Sequence, residues 1–132
     1  MAGYSKRSLV EKLGIQEGAE ILILNAPGDY DQCLVPLPSG VLRKKKLNQS
    51  VAFIQFFTKQ KRELLKEFPI LKKHLRPKGI LWISWPKGAS KVKTDLNENI
   101  VREIGLANGM VDIKVCAVNE IWSGLRFAFR LK

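Results

Sequence analysis

The sequence is short of the residues from which most metal and nucleophile chemistry is built. Only two cysteines, Cys33 and Cys116, and one histidine, His74, occur in 132 residues. They lie far apart, with no CxxC pair, which argues against zinc sites and dithiol redox pairs. No metal site is expected. Cys116 falls within an apolar segment, where burial holds a thiol protonated, and neither cysteine has a base close in sequence, so both read as structural. His74 sits in a basic helical segment and reads as a partly solvated helix residue. No catalytic residue is assigned.

Long apolar runs are also missing. None approaches the roughly 18 residues that a membrane span needs, and Met1 to Leu13 alternates charge with single apolar residues instead of forming an apolar export signal. A cytoplasmic protein without membrane contact is expected. Acidic residues are scarce too: 12 stand against 23 basic ones, for a formal charge of +11. Such a charge attracts polyanions but names no partner.

Hydrophobic residues make up 45% of the chain and charged residues 27%, an ordinary globular balance, and the length suits one domain over residues 1–132. Leu9, Val10 and Leu13 have helical spacing, with Ser5 or Ser8 as an N-cap and Gly14 as a stop. Ile21 to Leu24 is a short apolar run ended by Asn25, Pro27 and Gly28, the pattern of a strand buried on both faces. Gly28 to Leu34 has room for one or two helical turns before Pro36, Pro38 and Gly40. Val41 to Leu47 reads as a brief edge strand whose lysines discourage pairing with other chains.

Val51 to Phe57 repeats the buried-strand pattern. Lys61 to Leu75 then sets Leu64, Leu65, Phe68, Leu71 and Leu75 on one helical face, where Pro69 predicts a kink or a break into two helices. Pro77 and Gly79 end that element, and Ile80 to Trp85 is a third buried strand closed by Pro86. Asp95 and Glu98 match a capping box for a helix through Ile100, Val101, Ile104 and Leu106, stopped by Asn108-Gly109. Val111 to Val118 and Leu125 to Leu131 form the last strands, joined by Asn119 to Gly124. The alternation predicts an α/β fold: a single three-layer Rossmann-like domain, its mostly parallel sheet of five or six strands ending in an antiparallel C-terminal strand.

The elements Leu13-Gly14-Ile15, Gly18, Ile21 to Leu24 and Leu75-Arg76-Pro77-Lys78-Gly79-Ile80-Leu81-Trp82 resemble S-adenosylmethionine-dependent methyltransferases around their first and fifth strands. Asn25-Ala26-Pro27, Trp85-Pro86-Lys87, Thr94-Asp95-Leu96, Val111 to Val118 and Trp122-Ser123-Gly124-Leu125 are similar, over nearly the whole chain, to the uncharacterised bacterial family catalogued as domain of unknown function 3052. That resemblance implies a Rossmann-like fold and no established activity. The turn Asn25-Ala26-Pro27-Gly28-Asp29 departs from a nucleotide-binding turn: it has one glycine, a proline that removes a donor, and no acidic ribose ligand after a clear second strand. No cofactor is therefore expected.

Ligands of open α/β sheets lie outside the carboxyl ends of the strands, where Asn25 to Tyr30, Thr58 to Gln60, Trp85 to Lys87 and Asn119 to Ser123 should gather. Asn25, Pro27, Gly28 and Tyr30 come from the first turn, Trp85 and Lys87 supply an aromatic face and a cation, and Asp95, Glu120, Trp122 and Ser123 add further contacts. These are the candidate ligand residues, for an acidic protein or a small anionic ligand. The bland alternative is that Trp85 packs over the sheet, Asp95 caps a helix and Glu120 pairs with a lysine. Arg43, Lys44, Lys45, Lys46, Lys72 and Lys73 are the candidate polyanion surface, with nonspecific nucleic-acid binding expected at low salt; a solvated face is the alternative. A noncatalytic binding module is the first functional reading, a divergent transferase with a degenerate S-adenosylmethionine or nucleotide site the second, and a nucleic-acid-associated basic protein the third.

Overall fold

The computed structural model describes residues 8–47 and 49–130. Ser8 opens helix α1 (Leu9–Leu13) through a complete capping box with Glu11, and Gly14 closes it at φ 84°, a conformation that costs glycine nothing. Ser5 and Leu131, named above, lie outside the described residues. Strand β1 (Glu20–Leu24) follows, then one 3-10 turn (Tyr30–Cys33), the short strand β2 (Leu42–Lys44) and strand β3 (Val51–Phe57). Helix α2 (Lys61–Lys73), strand β4 (Leu75–Pro86), a second 3-10 turn (Gly88–Ser90), helix α3 (Glu98–Ala107) and strands β5 (Met110–Ala117) and β6 (Trp122–Phe129) complete the chain.

The six strands form one sheet in the order β2-β1-β3-β4-β6-β5. The first four run parallel, and β6 is antiparallel to both β4 and β5. This is the expected Rossmann-like α/β fold with its antiparallel C-terminal strand. The two faces differ. Behind the sheet, α2 and α3 bury a large apolar core around Ile54, Leu64, Phe68, Leu81, Val101 and Phe127. Among the described residues α1 and the first 3-10 turn are the elements that cover the front, over Ile21, Phe53, Phe57, Trp82 and Trp122. The thinness follows from sequence: the prolines before β2 forbid a crossover helix there.

Three local expectations change. Pro69 does not break α2 into two helices: both Pro69 and Leu65, whose carbonyl its missing N–H would have paired, are exposed, so the orphaned oxygen can meet water. Leu65 accordingly stands 51% exposed and is no part of the buried face. Leu75 leaves the helix and starts β4, pairing with Val51; the register then shifts so that Phe53 meets Ile80. Pro77 and Gly79 occupy that irregularity, where Gly79 lets the Leu75 side chain pass within 2.7 Å of the place a Cβ would take. Finally, β6 begins at Trp122 and not at Leu125, because Trp122, Ser123 and Gly124 pair with Pro86, Trp85 and Ser84.

Candidate functional site at the strand ends

The carboxyl ends of β1 and β3 meet the start of β6 and the first turn of α2. A cleft of about 410 Å³ opens there, lined by Asn25, Pro27, Phe57, Thr58, Lys59, Gln60, Glu63 and Trp122. Asn25 adopts φ 60°, which asparagine tolerates better than most residues, and its Nδ2 donates to the Phe57 carbonyl at 3.3 Å. The side chain thereby ties the two strand ends together. The Thr58 hydroxyl donates to the Glu63 carboxylate, so the one acidic group of the cleft is already engaged.

A second depression of about 620 Å³ shares Lys59 and Gln60 and continues along Val92, Lys93, Thr94 and Asp95. Its shape is set by the loop after β4. Thr94 donates to the Lys59 carbonyl at 2.6 Å and accepts from the Leu96 amide at 3.1 Å, which docks this loop on the β3 to α2 turn. Asp95 is carried across to accept the Lys61 amide at 2.7 Å. It therefore caps α2 and not the helix that follows it; α3 is capped by Asn97, whose side chain accepts from the Ile100 amide. A cap of this kind satisfies an orphan donor and places negative charge at the positive end of a helix. Asp95→Ala should cost about 1 kcal/mol, read as a lower urea midpoint at unchanged slope; an unaltered midpoint would show that the bond carries no weight.

Both carboxylates of this composite groove are thus held by the protein, whereas among the described residues Lys59 and Lys93 join no ion pair. The groove carries two lysines and two carboxylates, and ends at the apolar side chains of Phe57 and Trp122. Its two lysines are the groups that offer charged donors to a small anion.

The other candidates divide. Tyr30 is fully buried. Its hydroxyl donates to Oε1 of Gln55 at 2.6 Å, and Gln55 donates to the Ser84 hydroxyl at 3.2 Å. Its ring packs edge-on against Phe57, which does the same to Trp122. Burial pushes the Tyr30 phenol far above its usual range, against the opposing pull of the Gln55 bond. Tyr30 offers no face to a ligand. Trp85 is buried in the core behind the sheet, so it packs against the sheet as the bland alternative had it. Lys87 uses its amide on the Ile121 carbonyl at 2.7 Å, and Ser123 pairs with Trp85 within the sheet. Gly28 and Glu120 are exposed and line neither depression.

The basic surface is partly neutralised from within. Arg43 pairs with Asp31 at 2.5 Å, Lys44 lies 3.7 Å from Glu20, and Lys72 donates to the Asn108 carbonyl at the end of α3. Lys45 and Lys46 flank a shallow hollow of about 290 Å³ with Lys44 and Gln49, and Lys73 is exposed on α2. Burial pushes the Cys116 thiol up, against Lys12 and Lys114. Among the described residues no cluster of histidine, cysteine and carboxylate side chains is arranged for a metal ion, and no helix is long and apolar enough to cross a membrane.

Solved structures share this architecture. A SAM dependent methyltransferase from Aquifex aeolicus superposes with a TM-score of 0.61 at 17% identity, over 90% of this chain and 86% of that one. The chain has a methyltransferase-like fold. A second S-adenosylmethionine-dependent methyltransferase, from Clostridium acetobutylicum, gives 0.60 at 9% identity, covering 91% and 87%. The ribosomal protein L11 methylase of Lactobacillus delbrueckii gives 0.58 at 10% identity, covering 93% and 76%. No protein-family model matches the sequence, and no curated protein matches it.

The fold therefore implies S-adenosylmethionine, and the residues present do not fit it. A nucleoside seat on a Rossmann-like sheet needs a glycine-rich turn leading into a helix, and a carboxylate for the ribose. Here the turn leads into a four-residue 3-10 segment whose Tyr30 is buried against β3. Beyond it, β2 ends at Lys44 and is followed by Lys45 and Lys46, whose side chains offer no acceptor to a ribose hydroxyl.

Proposed function

We propose that the chain is a noncatalytic binding module on a methyltransferase-like fold, which recognises a small anionic ligand in the groove of Lys59 and Lys93. The observation that supports it most is the state of the groove's lysines: among the described residues Lys59 and Lys93 join no ion pair, while Glu63 and Asp95 are oriented by the Thr58 hydroxyl and the α2 amide. Phe57 and Trp122 are nearly fully buried and close the end of the cleft as an apolar floor. We further propose, on the residue resemblance alone, that the chain is a member of the family catalogued as domain of unknown function 3052, and that its methyltransferase-like architecture is a scaffold kept without a methyl donor.

Calorimetric titration with sugar phosphates, nucleotides and aromatic carboxylates tests this. One of these small anions should bind saturably at moderate salt, and Lys59→Gln with Lys93→Gln should weaken it at least about tenfold, as expected for loss of charge-assisted hydrogen bonds. Binding that ignores both substitutions, or binding only of polyanions that salt abolishes, would move the function to the Lys45 and Lys46 surface. Turnover of S-adenosylmethionine by the purified protein would instead establish a divergent transferase.

A further inference from the structure

At the opposite end of the sheet, on the face covered by α1, lies a separate cavity of about 310 Å³. Its walls come from Gly14 after α1, Gln16, the starts of β1 and β3, Lys78 before the regular part of β4, and Arg126 on β6. Among the described residues no carboxylate lines it.

Arg126 is the informative residue. Its Nε is buried and has no hydrogen-bond partner, although arginine cannot shed its charge and a buried donor left unpaired is costly. Among the described residues neither Arg126 nor Lys78 forms an ion pair. Gly14 also matters: a Cβ there would stand 3.7 Å from the Arg126 Nη1 and 3.2 Å from the Ile80 side chain, so the glycine leaves space beside the guanidinium.

We infer that this cavity is a second anion site, in which Arg126 and Lys78 clasp the phosphate group of a small molecule. A guanidinium presents parallel N–H donors that match a phosphate or carboxylate edge, and the unpaired Nε shows that no acceptor among the described residues holds it there. Lys78 is exposed and lines the cavity, and it supplies a second cation. The Gln16 side chain adds an uncharged donor. The site shares no lining residue with the strand-end groove, so the two can be tested independently.

The experiment is an NMR titration of the full chain with inorganic phosphate at constant ionic strength, followed at the Arg126 Nε–H and at the Gly14 and Gln16 amides, with acetate as the carboxylate arm. Phosphate should shift these signals saturably and more tightly than acetate, and Lys78→Gln should weaken the response about tenfold. Lys78 is a surface residue, so this variant keeps the fold, and its unchanged spectrum elsewhere verifies that. Tighter binding of acetate would reassign the site to carboxylates and overturn the phosphate assignment. An Arg126 Nε–H signal that does not move, or one that moves equally in Lys78→Gln, would overturn the site altogether.

Discussion

Tyr30→Ala should destabilise the protein by about 3–5 kcal/mol, the usual cost of deleting a buried aromatic ring, and denaturant unfolding measures it. The ring fills the front of the sheet against Phe57, and its hydroxyl is the donor that satisfies Gln55 inside the core. Tyr30→Phe separates the two contributions: it keeps the ring, leaves the Gln55 oxygen unpaired, and should cost about 1–3 kcal/mol. The phenol also predicts a pH dependence. Its folded pKa is raised, mainly by burial, so the unfolded chain releases this proton first. Stability is fully present below the unfolded value of about 10 and falls above it by about 1.4 kcal/mol per pH unit, until the folded group ionises as well. Tyr30→Phe should remove that component of the alkaline slope. An identical slope in the variant would show that Tyr30 is accessible to solvent, and with it the first turn.

Trp82→Ala should cost a further large amount, again about 3–5 kcal/mol, but with a different local signature. Trp82 is fully buried on the front face, and its indole N–H donates to the Leu13 carbonyl at 2.9 Å. Helix α1 has only five residues, too few to be stable alone. Its position depends on this bond and on the burial of Val10 and Leu13. Amide exchange in α1 should therefore accelerate more than in β3 or α2. Uniform acceleration throughout the chain would mean that α1 unfolds only with the whole domain. Because Gly14 and Gln16 follow directly, a loosened α1 should also blunt the phosphate response at the Arg126 cavity.

Sequence pattern reached the strands more securely than the site. The apolar runs at Ile21 to Leu24 and Val51 to Phe57 admit few alternatives, and β3 occupies the expected residues. The weak edge strand was legible from its lysines, and β2 occupies Leu42–Lys44. Boundaries failed where a tertiary contact overrode a local signal. Leu75 has helical spacing, but pairing with Val51 draws it into the sheet. Asp95 has capping-box spacing to Glu98, but the Thr94 contact turns it toward α2.

Position in the sequence brought Asn25, Pro27 and Trp122 to the strand-end cleft, together with Thr58 to Gln60. It could not say which way an aromatic beside a strand end faces. Tyr30 and Trp85 turn into opposite sides of the core, since alternate residues of a strand face opposite ways and the turn conformation sets the phase. Glu63 was missed because its role depends on Thr58, five residues earlier and across the strand-to-helix turn. Gln55 carried a signal in retrospect: it is the one strongly polar residue in the run Val51 to Phe57, and a buried amide there requires partners.

The first turn is filled by the protein's own Tyr30 side chain, and the proposed function gives the groove beside it an anion in place of a methyl donor. An NMR titration of the full chain with S-adenosylmethionine, followed at the Tyr30 ring and the Asn25 and Gly28 amides, tests it most directly. No saturable shift is expected at these positions at millimolar ligand, with the Tyr30 ring signals unchanged. Saturable binding that displaces the Tyr30 ring and perturbs Asn25 and Gly28 would contradict it and restore a methyl-donor site to the fold.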